Sequence, residues 1–238
     1  MTRLLLASDF DGTLAPLQTD PTRVTIDPQA YALLKEAAET RAVEVAVISG
    51  RDLGDLRERT AGLRCWLSGS HGHEIMSPAG ELIQEGVAWS GSLDPDWEAR
   101  ARAAGLRLEP KRFGVGLHWR DVPGIDEAHP LIGEFESWAG GHGLSLVRGR
   151  CVVEAAIGGA SKETVLKILL ERTGAPRLLY AGDDLTDFPA LEFAASQGRG
   201  WLISSAERPE ESPPGVERVK SREELLKRFR EELDAIRV

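Results

Sequence analysis

Near its start the chain carries an apolar run, Leu4-Leu5-Leu6-Ala7-Ser8, that breaks at once into Asp9-Phe10-Asp11-Gly12-Thr13. The run is too short to span a membrane and has the length of a buried strand. Two carboxylates one residue apart, just past a strand, can converge on one cation. Mg²⁺ suits them, because it takes oxygen ligands, keeps several waters and bridges to phosphate. Asp9 is then placed to attack phosphorus and carry an aspartyl-phosphate, its charge damped by the metal and by neighbouring cations. Asp11 lies within reach to protonate a leaving oxygen and later to activate water. Gly12 permits a sharp backbone turn, and Thr13 offers a hydroxyl to a phosphate oxygen. The structural alternative is that both aspartates cap a turn or a helix.

The same alternation of apolar run and polar break recurs along the chain. Asp27 and Pro28 open a helical pattern carrying Ala30, Leu33, Leu34 and Ala37 on one face. Val43-Glu44-Val45-Ala46-Val47-Ile48 reads as a second strand and runs into Ser49-Gly50-Arg51-Asp52, where Ser49 or Asp52 can cap a helix carrying Leu53 and Leu56. Cys65-Trp66-Leu67 is a third strand ending at Ser68-Gly69-Ser70-His71-Gly72. Strand, helix, strand, helix, strand implies a parallel sheet covered on both faces.

The middle reads differently. Residues 97–104 are helix-like, 106–109 and 114–120 alternate as half-exposed strands, and 125–139 return to helical spacing. Residues 144–147 and 151–154 form a hairpin around Arg148-Gly149-Arg150. The parallel pattern then resumes. A helix over 161–172 is followed by a strand over 177–181 that ends in Gly182-Asp183-Asp184-Leu185-Thr186-Asp187, then a helix with Leu191, Phe193 and Ala194, and a strand over 200–203. A loop rich in Pro, Glu and Ser covers 204–215, and Ser221-Arg222-Glu223-Glu224 is a capping box for a closing helix. The expected fold is α/β: a doubly wound parallel sheet over 1–87 and 156–238, with an inserted α+β cap over 88–155.

Composition narrows the function classes. With 238 residues, 42% hydrophobic and 28% charged, the chain can bury a full core. A formal charge of −9 argues against a nucleic-acid backbone as partner, and an acidic protein that binds phosphate must gather its cations locally. No apolar run is long enough for a membrane helix, and the first one meets Asp9 too early for a signal peptide, so a cytoplasmic location is expected. Cys65 and Cys151 sit in apolar surroundings without metal-ligand spacing and read as small buried hydrophobes.

The strand-end clusters starting at Asp9, Ser49 and Asp183 should meet at one edge of the sheet, where open α/β sheets bind ligands. Ser49 with the helix start behind it makes an anion seat, or else is only an N-cap. Lys162, in Gly158-Gly159-Ala160-Ser161-Lys162-Glu163, is a cation at a helix start and opposes the macrodipole, which a nearby phosphate explains. Asp183, Asp184 and Asp187 are costly to hold together without a cation.

Together these strings resemble the four motifs of the haloacid dehalogenase superfamily in its phosphatase form, in family order. The resemblance implies Asp9 as nucleophile and Asp11 as acid and base. It implies Ser49, Gly50, Thr13 and Lys162 as phosphate-binding, with Mg²⁺ held by Asp9, the Asp11 backbone carbonyl and Asp183. Asp184 and Asp187 are then alternative ligands, or orient bound waters from behind the metal ligands, unless they only form an acidic helix N-terminus.

Further strings resemble trehalose-6-phosphate phosphatases: Ser49-Gly50-Arg51, Ser70-His71-Gly72, Lys111 through His118-Trp119-Arg120, Val153-Glu154, and Gly182-Asp183-Asp184-Leu185-Thr186-Asp187. That resemblance implies a type-two cap and a sugar phosphate bound by Arg51, His71, Lys111, His118, Arg120 and Glu154. Alternation along the strand turns Trp119 inward. A trehalose-6-phosphate synthase is the implied functional partner. Three departures bear on the substrate: Glu163 follows the lysine where the family has Gly, Ser70 replaces a Glu, and Phe188-Pro189 replaces an acidic run. Mannosyl- or glucosyl-3-phosphoglycerate and sucrose phosphate are the rival substrates, and a non-catalytic sugar-phosphate sensor is the rival class.

Overall fold

A computed structural model of the chain describes residues 3–18, 20–93, 95–120, 122, 124–125, 129–149, 151–203 and 212–237. Contacts between Cα atoms divide it into two units, Met1–Glu85 with Ala160–Val238, and Gly86–Gly159. In chain order the elements begin with β1 (Leu4–Ser8), α1 (Pro28–Glu39), β2 (Val43–Ile48), α2 (Leu53–Arg59), β3 (Trp66–Gly69), β4 (Glu74–Met76) and β5 (Leu82–Glu85). The second unit supplies α3 (Pro95–Ala103), β6 (Arg107–Lys111), β7 (Gly114–His118), α4 (Pro130–Gly141), β8 (Ser145–Gly149) and β9 (Val152–Ala156). The first unit then resumes with α5 (Lys162–Thr173), β10 (Leu178–Gly182), α6 (Phe188–Gln197), β11 (Gly198–Ile203), β12 (Glu217–Val219) and α7 (Arg222–Arg237).

Among the described residues the first unit is built on one sheet in the order β12-β11-β10-β1-β2-β3-β4-β5. From β12 to β3 every pairing is parallel, and β4 and β5 add an antiparallel edge. β1 sits between β10 and β2, and its two-residue alternation divides the core. Leu4 and Leu6, with Val43, Val45, Val47, Leu179 and Ala181, pack on the side of α1 and α7. Leu5 and Ala7, with Ala46, Ile48, Leu178 and Tyr180, pack on the side of α5 and α6. Burying a side chain of this size stabilises the fold by roughly 1.5–3 kcal/mol, so a strand apolar on both faces is committed to the middle of the sheet.

Local signals set the helix ends. The Asp27 carboxylate accepts from the Gln29 and Ala30 N–H groups at 2.8 and 3.1 Å, with Pro28 first in α1. Ser161 caps α5 by accepting from Thr164 N–H at 3.1 Å, and Gly174, at φ 61°, ends it. At α7 half of the expected box forms. Ser221 Oγ accepts from Glu224 N–H at 3.3 Å, but the Glu224 carboxylate reaches past Ser221 to Lys220 N–H at 2.9 Å.

In the second unit the sheet order is β6-β7-β9-β8, antiparallel throughout. Val115, Leu117, Trp119, Val153 and Ala155 form its core with Trp97, Ala101, Leu131, Ile132, Phe135 and Ala139 of α3 and α4. Trp119 is therefore inward. Its limits fall at 85/86 and 159/160 rather than at 87/88 and 155/156. Two backbone bonds tie the flanks to this unit, Trp89 N–H to Arg112 O and Ile157 N–H to Phe113 O, both 2.9 Å.

Several expected bounds shift. α4 starts at Pro130 with His129 as its cap, not at Ile125, and part of that stretch, 126–128, lies outside the described residues. Arg150 of the expected hairpin tip and residues 204–211 of the expected loop also lie outside them. The β4–β5 edge and β12 have no counterpart in the sequence reading. β12 is three residues with one apolar side chain, too short to show a period. Cys65 is buried as expected, and burial pushes its thiol up to about 12, whereas Cys151 is only half-buried.

Candidate active site

The loop after β1 is shaped by its own backbone bonds. Asp9 N–H donates to Ala181 O at 2.8 Å, tying the loop to β10, and Phe10 O accepts from Leu14 and Ala15 N–H, both 2.9 Å. Gly12 lies at φ +79°, and a Cβ there would fall 2.0 Å from Asp183 Oδ2. Glycine is thus required twice, for the left-handed turn and for the approach of the Asp183 carboxylate.

Asp9, Asp183 and Asp187 each place a carboxylate oxygen within 4.8 Å of the other two. Lys162, buried at the first position of α5, sits between two of them, with Nζ 2.7 Å from Asp9 Oδ1 and 2.7 Å from Asp187 Oδ1. Burial acts to lower the lysine, but the charges of Asp187 and Asp9 outweigh it and hold the ammonium protonated. Burial pushes the Asp9 carboxyl well above its ordinary range; Lys162 opposes this, and Asp187 and Asp183 add to it. Three carboxylates around one lysine therefore lack a positive charge, and oxygen donors so gathered fit a hard divalent cation such as Mg²⁺. Asp9, on the loop after β1, and Asp183, on the loop after β10, are the two carboxylates that would hold it.

Asp187 is already saturated. Its Oδ1 accepts from Lys162 and, at 2.5 Å, from the Tyr180 hydroxyl, while its Oδ2 accepts from the Asp183 and Asp184 N–H groups at 3.2 and 3.1 Å. It fixes the lysine and the loop that carries Asp183. A Cβ at Gly182 would meet Asp187 Cγ at 2.3 Å, so that glycine makes room for the carboxylate. Asp184 turns to its own loop, accepting from Leu185 N–H at 2.8 Å. Tyr180, fully buried, was not singled out from sequence, because its position in β10 reads as core.

Thr13 is fully buried and its Oγ1 has no hydrogen-bond partner. A buried hydroxyl left unpaired costs about 1–3 kcal/mol, which an incoming oxyanion recovers. Ser49 Oγ accepts from Arg51 N–H at 3.1 Å, and Ser49 N–H donates to Ser68 O at 2.9 Å.

Arg51, expected at the substrate, spends its donors inside the core. Nε and Nη2 form a fork on the two Asp11 oxygens, each 2.7 Å, Nη1 reaches Asp55 at 2.8 Å, and Nη2 also reaches Pro21 O at 3.1 Å. Asp55 accepts in turn from Arg59 Nε at 2.8 Å. The i, i+4 spacing of Arg51, Asp55 and Arg59 was a readable signal for this chain of charges. His71 lies against Gly50, where a Cβ would come 2.4 Å from its Nε2. Ser70 and His71 both adopt left-handed backbone, φ 50° and 55°, held by bonds from their N–H groups to Arg51 O and Ser49 O at 2.7 and 3.0 Å. Such strain in non-glycine residues persists only where surrounding bonds over-determine it.

The remaining expected residues belong to the second unit, on the sheet face away from its helices. Lys111 pairs with Glu154 across the sheet, and His118 Nε2 lies 2.8 Å from Glu109 Oε2. Gly116 lies in the row between Glu109 and Glu154 and leaves that face open, since a Cβ there would press to 2.9 Å from His118 Nε2. Arg120 is exposed past the end of β7. Glu109 and Arg107, paired at 3.1 Å, are charged residues of this face that sequence reasoning passed over.

Comparison with known proteins gives a consistent family. The trehalose-phosphatase family profile matches residues 7–213. A trehalose-phosphate phosphatase of Mycobacterium marinum is 32% identical over 212 residues, covering 82% of this chain and 52% of that protein. An uncharacterized glycosyl hydrolase of Mycobacterium tuberculosis is 36% identical over 211 residues, covering 82% of this chain and 16% of that one. The chain thus spans about half the length of the first relative (52%) and about a sixth of the second (16%). Among solved structures, the C-terminal domain of the Candida albicans trehalose-6-phosphate phosphatase superposes with TM-score 0.72 at 17% identity, covering 98% of this chain and 92% of that one. A HAD-superfamily phosphatase of Bacteroides thetaiotaomicron gives TM-score 0.66 at 16% identity over 98% and 96% of the two chains. The fold is that of the HAD phosphatases with a cap.

Proposed function

The chain belongs to the trehalose-phosphatase family, and on that premise we propose that it is a Mg²⁺-dependent phosphatase that releases phosphate from trehalose-6-phosphate. The observation that carries the reading is the cluster of Asp9, Asp183 and Asp187 about the buried Lys162, with the unpaired Thr13 hydroxyl on the same loop as Asp9. A structural ion-pair network does not need a carboxylate in excess or an orphaned hydroxyl; a metal and a phosphate account for both.

Asp9 is the nucleophile. Lys162 fixes one of its oxygens and leaves the other to attack phosphorus, forming the aspartyl-phosphate. Lys162, Thr13 and Ser49 hold the phosphoryl oxygens as their charge develops. Asp9, Asp183 and the Asp11 carbonyl would hold Mg²⁺, which would supply charge neutralisation for the phosphoryl group. Asp11 gives a proton to the departing sugar oxygen and then takes one from water, which requires its release from the Arg51 fork. Asp187 and Asp184 hold the Asp183 loop in shape. The polar sheet face of the second unit, with Lys111, His118, Arg120 and Glu154, has the chemistry to give charge-assisted hydrogen bonds to sugar hydroxyls, and within the first unit His71 has it too.

The test is phosphate release from a panel of trehalose-6-phosphate, sucrose phosphate, and glucosyl- and mannosyl-3-phosphoglycerate, with Mg²⁺ and with EDTA. Trehalose-6-phosphate is expected to give the highest kcat/KM, only with Mg²⁺. Faster turnover of a phosphoglycerate ester would move the substrate assignment, and no release from any of them would leave a sugar-phosphate sensor. Asp9→Asn should abolish turnover with the fold retained, read by circular dichroism.

A further inference from the structure

We propose that Arg222, the first residue of α7, is a positioning residue for the loop after β1, holding the Thr13 peptide so that its buried hydroxyl stays available to the phosphate. The inference rests on the phosphatase reading above. Arg222 Nε donates to Thr13 O at 2.7 Å, across a separation of 209 residues. Three other carbonyls of this turn are tied by backbone N–H groups: Phe10 O by Leu14 and Ala15, Ala15 O by Gly12, and Leu14 O by Asp27, each at 2.9 Å. Thr13 O is held by a side chain instead, and that side chain comes from the far end of the chain.

Helix energetics does not explain the arginine. The first turn of a helix favours anions, and Glu223 and Glu224 of α7 follow that rule. A cation at position one opposes the macrodipole, as Lys162 does at the start of α5, and Lys162 proves to be turned into the acidic cluster. Arg222 is the second such case, and it is turned into the same loop system. Thr13 shows what is being held: its side chain is fully buried, its Oγ1 is unpaired, and one residue before it Gly12 must keep a left-handed turn against Asp183. A rotation of the 13–14 peptide would move the hydroxyl and disturb the Asp183 approach together. A planar guanidinium on the carbonyl resists that rotation and brings a positive charge to the back of a loop that must receive an anion.

The experiment uses the full chain as wild type, Arg222→Met, Arg222→Lys and, as a control on the exposed side of the same helix, Arg228→Met. Inorganic phosphate serves as competitive inhibitor of trehalose-6-phosphate turnover, and Mg²⁺ is titrated for half-maximal rate. Arg222→Met should raise the phosphate Ki and lower kcat by about tenfold each, the effect of one lost hydrogen bond to a positioned group. The Mg²⁺ titration and the Arg228→Met values should stay at wild type, and Arg222→Lys should recover part of the loss. In a Thr13→Val background, Arg222→Met should add little further, which a merely structural role would not produce. Should the Met variant fail to fold, Arg222→Gln, which keeps a donor without the charge, carries the same comparison. Phosphate Ki and kcat within twofold of wild type, or full additivity with Thr13→Val, would overturn the inference while leaving the phosphatase reading intact. A wild-type chain that neither turns over substrate nor responds to phosphate would end both.

Discussion

At the scale of single residues, the site is decided by how buried charges are matched. Lys162 compensates both Asp9 and Asp187 at 2.7 Å, and its removal leaves two carboxylates buried without a cation. Breaking a buried pair from one side costs about 3–5 kcal/mol. Lys162→Met should lower the unfolding free energy by that order, measured in denaturant without Mg²⁺. The sign of its pH dependence also follows. In the variant the carboxyls escape their mutual repulsion by binding protons, so the folded state takes up more protons than the unfolded one and stability falls as pH rises. The deficit should therefore be smaller at pH 5 than at pH 8; an equal deficit at both would argue that the loss is only packing. The sequence made Lys162 legible because its place at a helix start contradicted local energetics. Arg222 carried the same contradiction, but the Ser221–Glu224 pattern already accounted for that helix start and masked it. Tyr180 was illegible for another reason: alternation assigned it to the core, and a core tyrosine discloses nothing about where its hydroxyl goes until Asp187 is found 2.5 Å away.

Among elements, those with a long apolar period were readable and those held by pairing alone were not. β2 lies over Val43–Ile48, as its run of apolar residues requires, whereas β4 and β12 exist because a neighbour offers them hydrogen bonds. The second unit's sheet shows the same division. Its helix-facing side follows from periodicity; its other side is a set of charges paired both within β6, as Arg107 with Glu109, and across strands, as Lys111 with Glu154 and His118 with Glu109. There the close approach of His118, outweighing the opposing effect of burial and aided by Lys111, holds Glu109 at about 2. A carboxyl depressed in the folded state contributes stability that is present above its ordinary value of about 4.5 and is lost as pH falls toward about 2. Acid unfolding of the chain should thus contain a step between these values, and Glu109→Gln should remove it. A variant that unfolds along the wild-type acid profile would show that Glu109 is not linked to stability. The hairpin between β8 and β9 gives a second prediction. Cys151 sits at φ 54°, a region costing a non-glycine residue about 1–2 kcal/mol. Cys151→Gly should raise stability by about 0.5–1 kcal/mol, less than the full strain because glycine also loosens the unfolded chain. A fall in the denaturation midpoint would contradict it.

For the whole molecule, the topology matters more than any one motif. β1 and β10 are neighbours although 173 residues separate Leu5 from its partner Leu178, so the carboxylates of Asp9 and Asp183 meet only when the two sequence segments of the first unit are assembled on one sheet. This convergence was the part of the site legible in advance, since clusters that follow parallel strands share one edge. What the sequence left open was which of the acidic residues are spent on the protein itself, as Asp187 is, and which remain for a cation. That distinction has a global consequence. Without a metal, Asp183 adds repulsion to a cluster whose single lysine is already shared. With a metal bound only to the native state, the same carboxylate becomes a source of stability, about 2.7 kcal/mol at a concentration one hundred times the Kd. Asp183→Asn should therefore act in opposite directions under the two conditions. In EDTA it should unfold at the same temperature as wild type or slightly higher, because one half-buried negative charge has gone from the cluster. In saturating Mg²⁺ the wild type should rise in melting temperature and the variant should not. If the variant is destabilised in EDTA and gains as much from Mg²⁺ as wild type, Asp183 serves the fold rather than the ion, and the edge where the two halves of the chain meet is not where the cation binds.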